Sequence, residues 1–370
     1  MLVAHVTTVH QRGDVRIRHK ECMSLVSDGR YRVRLIVADS RGDEVIDGLE
    51  IRDLGMPGDG GRTVRWLLGS WRVLREILRT RPRLLHFHDP ELLPVFLFFR
   101  LLGHRVVYDV HEDLPTQMLA KHWLPKPLRR ILGMAVAALE WIAGRTLSGM
   151  VAATPTIAAR FPASKTVLVR NFPLIDEFSE PGPRQVERPE FFAYVGVIAS
   201  IRGAEVMVDA VSGMGPGTRL LLAGNYSPDS LRDQLQQRGG WSKVVEEGWL
   251  EREAVATMLN SCRAGLVLLQ PLPNYVDALP VKLFEYMAAG IPVIASDFPG
   301  WREIIEPADC GILVDPADRK SVTRAMSIIL SDPEEADAMG ARGRQKIESV
   351  YNFAGEADQL IGLYRRLLPA

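Results

Sequence analysis

Two carboxylates and a lysine surround the predicted start of one helix. Asp277 and Glu285 are the acids, and Lys282 lies between them. Pro280 suits a first helical position because its φ is fixed and it has no N–H group to satisfy. The backbone N–H groups near Val281 would then lack acceptors at the positive end of the helix dipole. A phosphate fits such a site and Glu285 can accept hydrogen bonds from ribose hydroxyls, so the segment predicts a bound sugar nucleotide.

Apolar spacing predicts the helix that would position these groups. Leu283 and Phe284 recur with apolar residues one turn later, and Gly290 provides a C-terminal stop. This pattern predicts a helix over about 280–289. The β-branched run at 291–295 predicts a buried strand directly after it.

The same alternation of helix and strand runs along most of the chain. Short apolar runs predict strands at 2–6, 32–37, 84–88, 106–110, 149–153, 166–169, 191–196, 219–223, 265–269, 291–295 and 311–314. Such alternation is typical of parallel sheets wrapped by helices. The predicted fold class is α/β, with two Rossmann-like doubly wound parallel-sheet domains facing a central cleft, where ligands bind beyond the carboxyl ends of the strands.

A segment without periodicity separates the two sets of strands. Residues 176–190 contain Pro-Gly-Pro and several Glu, which predicts a linker. The domains are then expected at 1–175 and 191–350, and a last helix at 351–370 is expected to pack back toward the first domain.

Composition narrows the class of protein. The chain has 370 residues, 47% hydrophobic and 24% charged, as in an ordinary globular protein. Residues 1–180 hold 26 Lys and Arg against 20 Asp and Glu, so this half could meet an anionic acceptor or a membrane surface, or simply have an Arg-rich solvated surface. Three dispersed Cys and no recognisable signal peptide favour a reducing cytoplasm, and no nucleic-acid partner is expected.

Two apolar segments raise the question of membrane contact. Residues 92–102 are too short to span a bilayer, and residues 131–153 are interrupted by Glu140 and Arg145. Together with the basic residues just before it, the second segment could be an amphipathic helix on the inner face of an anionic membrane. The alternative is a buried helix of the first domain.

The acid pair carries a family resemblance. Asp277-x7-Glu285, followed by Met-Ala-Ala-Gly-Ile-Pro-Val-Ile-Ala-Ser, resembles the Glu-x7-Glu signature of retaining glycosyltransferases of family 4, which have the GT-B fold. The resemblance implies that Asp277 contacts hydroxyls of the transferred sugar and that Glu285 binds the nucleotide ribose. Asp277 is one methylene shorter than the family's Glu. The Ala-Leu-Pro-Val-Lys variant between the acids is similar to enzymes that assemble bacterial surface polysaccharides.

Other predicted donor contacts also come from the resemblance. Gly196 and Arg202 resemble a loop whose two cations hold the pyrophosphate, but Val197 stands where the first cation is usual, so Lys282 could supply the second charge. The segment ending at Gly248 resembles the part that frames the base. Gly300 is expected near the donor sugar.

Histidines cluster at the ends of predicted strands in the first domain. His111 and Glu112 resemble the family's strand ending in His and an acid, and the resemblance implies that His111 contacts the donor sugar near the reaction centre. His88 is the next candidate, at the end of the neighbouring strand. In the loop after the first strand, His10, Asp14 and Arg16 are candidate acceptor contacts or, about equally, a polar surface. Glu112 and His88 are predicted on the acceptor side as well.

A metal site built from His86, His88, Asp89 and His111 is an alternative, since imidazole and carboxylate bind zinc or manganese. GT-B transferases generally need no metal, because a helix dipole and cations neutralise the leaving pyrophosphate. We therefore expect no metal and no cofactor. The resemblance implies a nucleotide-sugar donor, with a UDP-sugar favoured and a GDP-sugar the other choice, and a glycan or lipid-linked glycan acceptor.

The sequence thus predicts a retaining glycosyltransferase of bacterial surface polysaccharide synthesis, with residues 1–175 on the acceptor side and 191–350 binding the donor. Another GT-B sugar-nucleotide enzyme, such as an epimerase, stays open. So does a nucleotide-sugar-binding partner protein that has lost catalysis, with Asp277 as the altered position.

Overall fold

The computed structural model describes residues 1–55, 62–120, 125–178 and 189–369. The chain divides into two compact units: unit 1 consists of Met1–Asn171 and Phe353–Ala370, and unit 2 of Phe172–Asn352. Most of the predicted linker, residues 179–188, lies outside the described residues.

The described part of unit 1 contains one eight-stranded sheet. Its strands are β1 Leu2–Val6, β2 Arg32–Val37, β3 Glu44–Ile46, β4 Leu49–Asp53, β5 Leu84–Phe87, β6 Arg105–Val110, β7 Gly149–Ala152 and β8 Thr166–Leu168. They lie in the order β3-β4-β2-β1-β5-β6-β7-β8. All neighbours are parallel except β3 and β4, which form a hairpin that the sequence analysis did not predict.

The described part of unit 2 contains a six-stranded parallel sheet. Its strands are β9 Phe191–Val195, β10 Arg219–Ala223, β11 Val244–Gly248, β12 Ala264–Val267, β13 Val293–Ser296 and β14 Gly311–Val314. Their order is β11-β10-β9-β12-β13-β14. The predicted fold class of two doubly wound α/β units is confirmed.

Helices connect most of these strands. In chain order they are α1 Met23–Ser27, α2 Arg62–Thr80, α3 Leu93–Leu101, α4 Leu114–Ala120, α5 Lys126–Thr146, α6 Pro155–Ala158, α7 Ala204–Ser212, α8 Leu231–Gln236, α9 Arg252–Asn260, α10 Pro273–Val276, α11 Val281–Ala288, α12 Pro299–Ala308, α13 Arg319–Ser331, α14 Pro333–Ser349 and α15 Phe353–Leu367. A wide π-helical segment, Val15–Cys22, leads into α1. No described helix is both long and apolar enough to cross a membrane.

Both sheets have central strands that are buried on both faces. Every residue of β5, β7, β12 and β13 is buried, which is expected where helices cover the two sides of a parallel sheet. In unit 1 the ring of Phe87 stacks on Phe96 and on Tyr108, with centroids 4.3 and 4.5 Å apart. In unit 2 the fully buried Trp301 and Phe284 belong to the core.

Each sheet has a point at which the direction of winding reverses. In unit 1 this point lies between β1 and β5, because β2 pairs with the other side of β1. In unit 2 it lies between β9 and β12 in the same way. The carboxyl ends of strands at such a switch point are the usual ligand-binding position of doubly wound sheets.

The C-terminal helix α15 is part of unit 1. The carboxylate of Glu356 accepts hydrogen bonds from the backbone N–H of Arg170, at 2.7 Å, and from its guanidinium, at 2.9 and 2.6 Å. The hydroxyl of Tyr364 is fully buried, 2.9 Å from a ring nitrogen of His5 and 2.9 Å from one of His86. The core of unit 1 is therefore built from both ends of the chain.

Candidate functional site

The loop before α11 holds the start of this helix in place. Pro280 is the N-cap residue, with an extended backbone (φ −71°, ψ 125°), so Val281 rather than Pro280 is the first helical residue. The indole N–H of the buried Trp301 donates to the carbonyl oxygen of Ala278 at 2.7 Å. Among the described residues nothing accepts a hydrogen bond from the N–H groups of Val281 or Lys282. Two donors thus remain for a ligand at this terminus.

Lys282 is packed against the end of β9. Its Nζ donates to the hydroxyl of Tyr194 at 3.1 Å and lies 4.3 Å from the centroid of that ring. The Tyr194 hydroxyl in turn donates to the carbonyl oxygen of Val197 at 2.7 Å. Burial, and then the positive charge of Arg202, lower the pKa of Lys282 to about 7. No described carboxylate forms an ion pair with either cation, so a bound anion would relieve their repulsion.

Glycines let the backbone approach this point closely. Gly196 follows β9 with φ +114°, and a Cβ there would lie 3.2 Å from Lys282 Nζ. At Gly224, φ +143°, a Cβ would lie 2.0 Å from the carbonyl oxygen of Gly196. Gly203, φ +78°, caps α7 directly after Arg202. Side chains at these positions would be strained or would clash, and at Gly196 the group that a side chain would meet is Lys282.

Glu285 is held by an arginine that the sequence analysis missed. Its Oε1 accepts from Nη1 of Arg252 at 2.5 Å, and Arg252 also forms an ion pair with Glu177. Glu285 is only 7% exposed and lies one turn inside α11. Its second oxygen accepts no hydrogen bond from a described residue, which leaves an acceptor for hydroxyl donors. No local signal links Arg252 to an acid 33 positions later.

The remaining predicted donor residues lie on loops of unit 2. Asp277 follows the short helix α10 as its C-cap and is exposed; its backbone N–H donates to the carbonyl oxygen of Tyr275, and its carboxylate accepts no hydrogen bond from a described residue. Gly300 lies in the first turn of α12, and a Cβ there would meet nothing within 4 Å. The two loops are joined by the bond from Trp301 to Ala278. Gly248 ends β11 with φ +67°, and its carbonyl oxygen accepts from Gly224 N at 2.7 Å.

In unit 1, Asp109 is the centre of a buried polar cluster. It accepts hydrogen bonds from Arg16 at 3.0 and 2.8 Å, lies 3.1 Å from Nδ1 of His88, and is 2.7 Å from Nε2 of His111. Burial would raise the pKa of Asp109, but the charges of Arg16 and His111 hold it well below its usual range. The cluster is therefore neutralised by its own members.

Two predicted acceptor contacts are part of this cluster. Arg16 is 4% exposed, and its Nη1 donates a hydrogen bond of 2.8 Å to the carbonyl oxygen of Val169. His88 is buried, with Nε2 3.0 Å from a ring nitrogen of His5. The expectation that Arg16 and His88 are open to an acceptor is therefore corrected, since their polar atoms already bind protein groups and orient Asp109.

The accessible residues of the loop after β1 form a second group. His10 Nδ1 lies 3.2 Å from Asp14, and the ring of His10 stacks on that of His111 with centroids 5.8 Å apart. Burial would raise the pKa of Asp14, but hydrogen bonds from His10 and a backbone N–H lower it to about 2. The same hydrogen bond raises the pKa of His10. Glu112 is exposed and accepts from Gln117 at 2.6 Å.

Asp89 has a role that the sequence analysis did not give it. Its carboxylate accepts from the hydroxyl of Thr7 at 3.0 Å and from the backbone N–H groups of Thr8 and Val9 at 2.5 and 3.2 Å. It fixes the loop that carries His10. The predicted metal site of His86, His88, Asp89 and His111 does not assemble, because Asp89 binds this backbone instead. Among the described residues, two other sets bring possible ligand atoms together. One is His88 with Asp109 and His111, and the other is His5 with Glu21, His86 and His88.

The architecture and the site together define a class. Two doubly wound α/β units, one with a glycine-lined pair of cations at its switch point, are the build of a GT-B glycosyltransferase. A family model described as a glycosyl transferase 4-like domain matches residues 21–171, and one described as glycosyl transferases group 1 matches residues 176–346. The chain belongs to this family of glycosyltransferases.

Relatives of known name agree with this class. An alpha-D-kanosaminyltransferase of Streptomyces kanamyceticus is 28% identical over 179 residues, which are 47% of this chain and 45% of that protein. An O-antigen chain mannosyltransferase C of Escherichia coli is 25% identical over 189 residues, 50% of this chain and 49% of that protein. The chain thus spans about half the length of these curated relatives.

Solved structures match this chain over more of its length than these relatives do. Anabaena HepE in complex with UDP-glucose matches with a TM-score of 0.74 at 14% identity, over 99% of this chain and all of the other. A likeness at this identity shows the fold alone.

Proposed function

We propose that the protein is a retaining glycosyltransferase that moves a sugar from a nucleotide donor to a glycan or lipid-linked glycan of a bacterial surface polysaccharide. The observation that carries the proposal is the pair Arg202 and Lys282. Lys282 lies beside Gly196 at the start of α11, Arg202 is near enough to lower the pKa of Lys282, and no described carboxylate forms an ion pair with either cation. A nucleoside diphosphate supplies the missing negative charge.

Each part of the donor is assigned to a group of this unit. The pyrophosphate would contact Arg202, Lys282 and the N–H groups at the start of α11. Glu285 would accept hydrogen bonds from the ribose, and Asp277 from the transferred sugar. Anabaena HepE binds UDP-glucose, which supports a UDP-sugar; a GDP-sugar is the second choice.

The mechanism follows from where charge develops. When the nucleoside diphosphate leaves, negative charge grows on the pyrophosphate and positive character on the anomeric carbon. Donors already aimed at the phosphates stabilise that state most, because they need no reorganisation. We propose that the acceptor attacks from the side the diphosphate leaves, so that the leaving phosphate takes the hydroxyl proton and configuration is retained. His111 stays a predicted contact to the donor sugar.

A binding screen followed by a transfer assay tests this function. Thermal shifts with UDP-, GDP-, ADP- and dTDP-sugars should single out one donor, since a bound ligand raises stability by mass action. That donor, incubated with lipid-linked glycan, should yield a product whose anomeric configuration by NMR equals that of the donor. Absence of nucleotide release from every donor and acceptor would refute the proposal.

The same assay separates the two alternatives. An epimerase-like enzyme would consume donor without acceptor. A partner protein that has lost catalysis would bind donor and release none, and Asp277→Glu would then create activity that the parent lacks. Under the proposal, the parent is active and Asp277→Glu changes donor preference.

A membrane-facing acceptor fits the surface of α5. Ile131, Met134 and Trp141 are 58%, 65% and 56% exposed on one side of this helix. The exposed Lys126 and Arg130 lie in its first turns. A face of this kind inserts its apolar side chains among anionic headgroups, and we propose that it binds the lipid surface.

Vesicle sedimentation tests this contact. The protein should sediment with phosphatidylglycerol vesicles and not with phosphatidylcholine vesicles. The double variant Ile131→Glu/Met134→Glu should stay in the supernatant while keeping its activity on a soluble acceptor. Equal sedimentation of parent and variant would contradict the contact.

A further inference from the structure

Three histidines and a glutamate lie side by side in the interior of unit 1. His5 on β1 and His86 on β5 are paired across the sheet, and His88 follows two residues later. Glu21 reaches them from the π-helical segment. All four are buried, and one possible ligand atom from each lies within 4.8 Å of the others. None of them is needed for the sugar transfer described above.

The outer nitrogen of each ring is already held. The hydroxyl of Tyr364 lies 2.9 Å from His5 Nε2 and 2.9 Å from His86 Nδ1, and Asp109 lies 3.1 Å from His88 Nδ1. In metal sites the non-ligating nitrogen of a histidine is fixed by such an oxygen, which sets the tautomer and the orientation of the ring. The inner atoms are His86 Nε2, which has no hydrogen-bond partner among the described residues, and His5 Nδ1 and His88 Nε2, which lie 3.0 Å from one another.

Several of these inward-facing polar atoms have no hydrogen-bond partner within the described protein. His86 Nε2 and both carboxylate oxygens of Glu21 are buried and have no hydrogen-bond partner among the described residues. Glu21 Oε1 lies 3.1 Å from Arg16 Nε, close enough for an ion pair but without hydrogen-bond geometry. An unsatisfied buried carboxylate is costly, and a cation at this point would satisfy the imidazole and the carboxylate together.

We propose that His5, Glu21, His86 and His88 bind a divalent transition-metal ion of the zinc class. Three imidazoles and one carboxylate suit zinc, whose metal–ligand distances of about 2.0–2.2 Å set neighbouring ligand atoms about 3.3 Å apart. The inner nitrogens of His5 and His88 are 3.0 Å apart, and His5 Nδ1 lies 4.0 Å from Glu21. Small movements of the four side chains would therefore bring their ligand atoms to the distances that one zinc ion requires.

This ion has a structural role. The protein supplies all four ligands, so no position is left for water or substrate, as in closed structural zinc sites. The ion joins β1, β5 and the π-helical segment, and through Tyr364 it fixes α15. Because its ligands and its role are separate from the donor site, the inference does not depend on the proposed function.

Metal content of the intact chain tests the site directly. Protein purified without a histidine tag, and given zinc chloride after chelation, should hold one zinc per chain by elemental analysis. Cobalt in its place should show the visible absorption of a tetrahedral N,O site. Zinc should raise the Tm of the chelated protein by about 5 °C. A chain that takes up no zinc or cobalt and keeps its Tm overturns the proposal.

Variants locate the ion. Glu21→Gln and His86→Gln should weaken zinc binding by at least about tenfold, with circular dichroism checking that each is folded. His111→Gln is the matched control, since His111 belongs only to the set with His88 and Asp109, and it should keep its zinc. Loss of zinc in His111→Gln with retention in His86→Gln would place the ion in that other set and overturn the assignment. The cobalt spectrum of the parent keeps the test decisive if a variant fails to fold.

Discussion

At the switch point of unit 1 the charges are paired inside the protein, whereas at the switch point of unit 2 two cations lie close together and neither forms an ion pair with a described carboxylate. Asp109 alone binds Arg16, His88 and His111. Lys282 donates to a tyrosine hydroxyl, and its pKa is lowered by the charge of Arg202 and raised by that of Glu285. The two sheets have the same strand order at this point, so the difference comes from side chains and not from topology.

The difference indicates that the two units have different roles. The cluster of unit 1 satisfies its own charges, and His10 and His111 are its partly exposed members. A pair of repelling cations stores unfavourable energy that an anion releases, so its contribution to stability depends on a ligand. Unit 2 is thus the unit whose site should respond most to a nucleotide.

The largest expected effect comes from breaking the paired cluster. Asp109→Asn removes the carboxylate that binds the buried guanidinium of Arg16 through two hydrogen bonds, leaves only the ion pair with Glu21, and should destabilise unit 1 by about 3–5 kcal/mol. Urea unfolding followed by circular dichroism measures this loss. Arg32→Gln, which removes an exposed ion pair with Glu50, is the control and should change stability little. Similar midpoints for the two variants would show that the cluster is not self-neutralised.

Removing a cation from unit 2 should act on function and not on stability. Lys282→Gln is expected to lower kcat/KM for the donor by about 10²–10³, the usual cost of losing one charged group that stabilises the leaving phosphate. Release of nucleoside diphosphate measures it. Lys320→Gln on the exposed side of α13 changes the same charge elsewhere and should keep the parent rate. A Lys282→Gln rate within twofold of the parent would contradict the assignment.

The pH dependence of donor binding sharpens the comparison. Lys282 has its pKa lowered to about 7 by burial and by Arg202, so the free protein loses this charge as pH rises above 7. A phosphate favours the protonated form, and the affinity for UDP should therefore fall by about tenfold per pH unit well above the pKa. Calorimetric titrations with UDP between neutral and alkaline pH measure this.

A charge-preserving variant is the control for that titration. Lys282→Arg stays protonated throughout this range, so its affinity should be nearly flat with pH. Proton uptake on binding at alkaline pH, seen as a dependence of the binding enthalpy on the buffer, should occur in the parent and vanish in the variant. An equal slope in both proteins would assign the pH dependence to another group.

The smallest expected effect concerns the arginine behind Glu285. Arg252→Gln removes the charge-assisted bond that fixes this carboxylate and should raise the donor KM by about tenfold with little change in kcat. Steady-state kinetics separate the two constants. Arg302→Gln, which breaks an exposed pair with Asp297, should leave both unchanged. A lower KM in Arg252→Gln would show that Arg252 competes with the ribose for Glu285.

Local patterns in the sequence predict most of the strands of the fold. The strands at 2–6, 32–37, 219–223 and 311–314 have the predicted bounds, because buried parallel strands are continuous apolar runs. The hairpin of β3 and β4 had a signal that was not used: Asp47 and Gly48 both have positive φ in its two-residue turn, as Asp-Gly turns do. β11 is a mostly exposed edge strand, so it lacks an apolar run.

Some residues of the site could be predicted from their neighbours in the sequence, whereas others meet only through contacts between distant segments. The start of α11 was predicted from neighbouring residues, and Gly196 and Arg202 were predicted from the resemblance of a short loop to that of a known family. Arg16 and Asp109 are 93 positions apart, and no local pattern shows that they meet. Their burial therefore appears only in the structure, as does the bond between Arg252 and Glu285.

The place of Tyr364 has a consequence for the order in which the chain folds during synthesis. Unit 2 is contained within residues 172–352 and is complete before α15 has been made. Unit 1 begins first but cannot close its interior until Tyr364 leaves the ribosome and reaches His5 and His86. The first sheet to be synthesised is thus the last to be finished, and until then its polar interior lacks the hydroxyl that holds two of its rings.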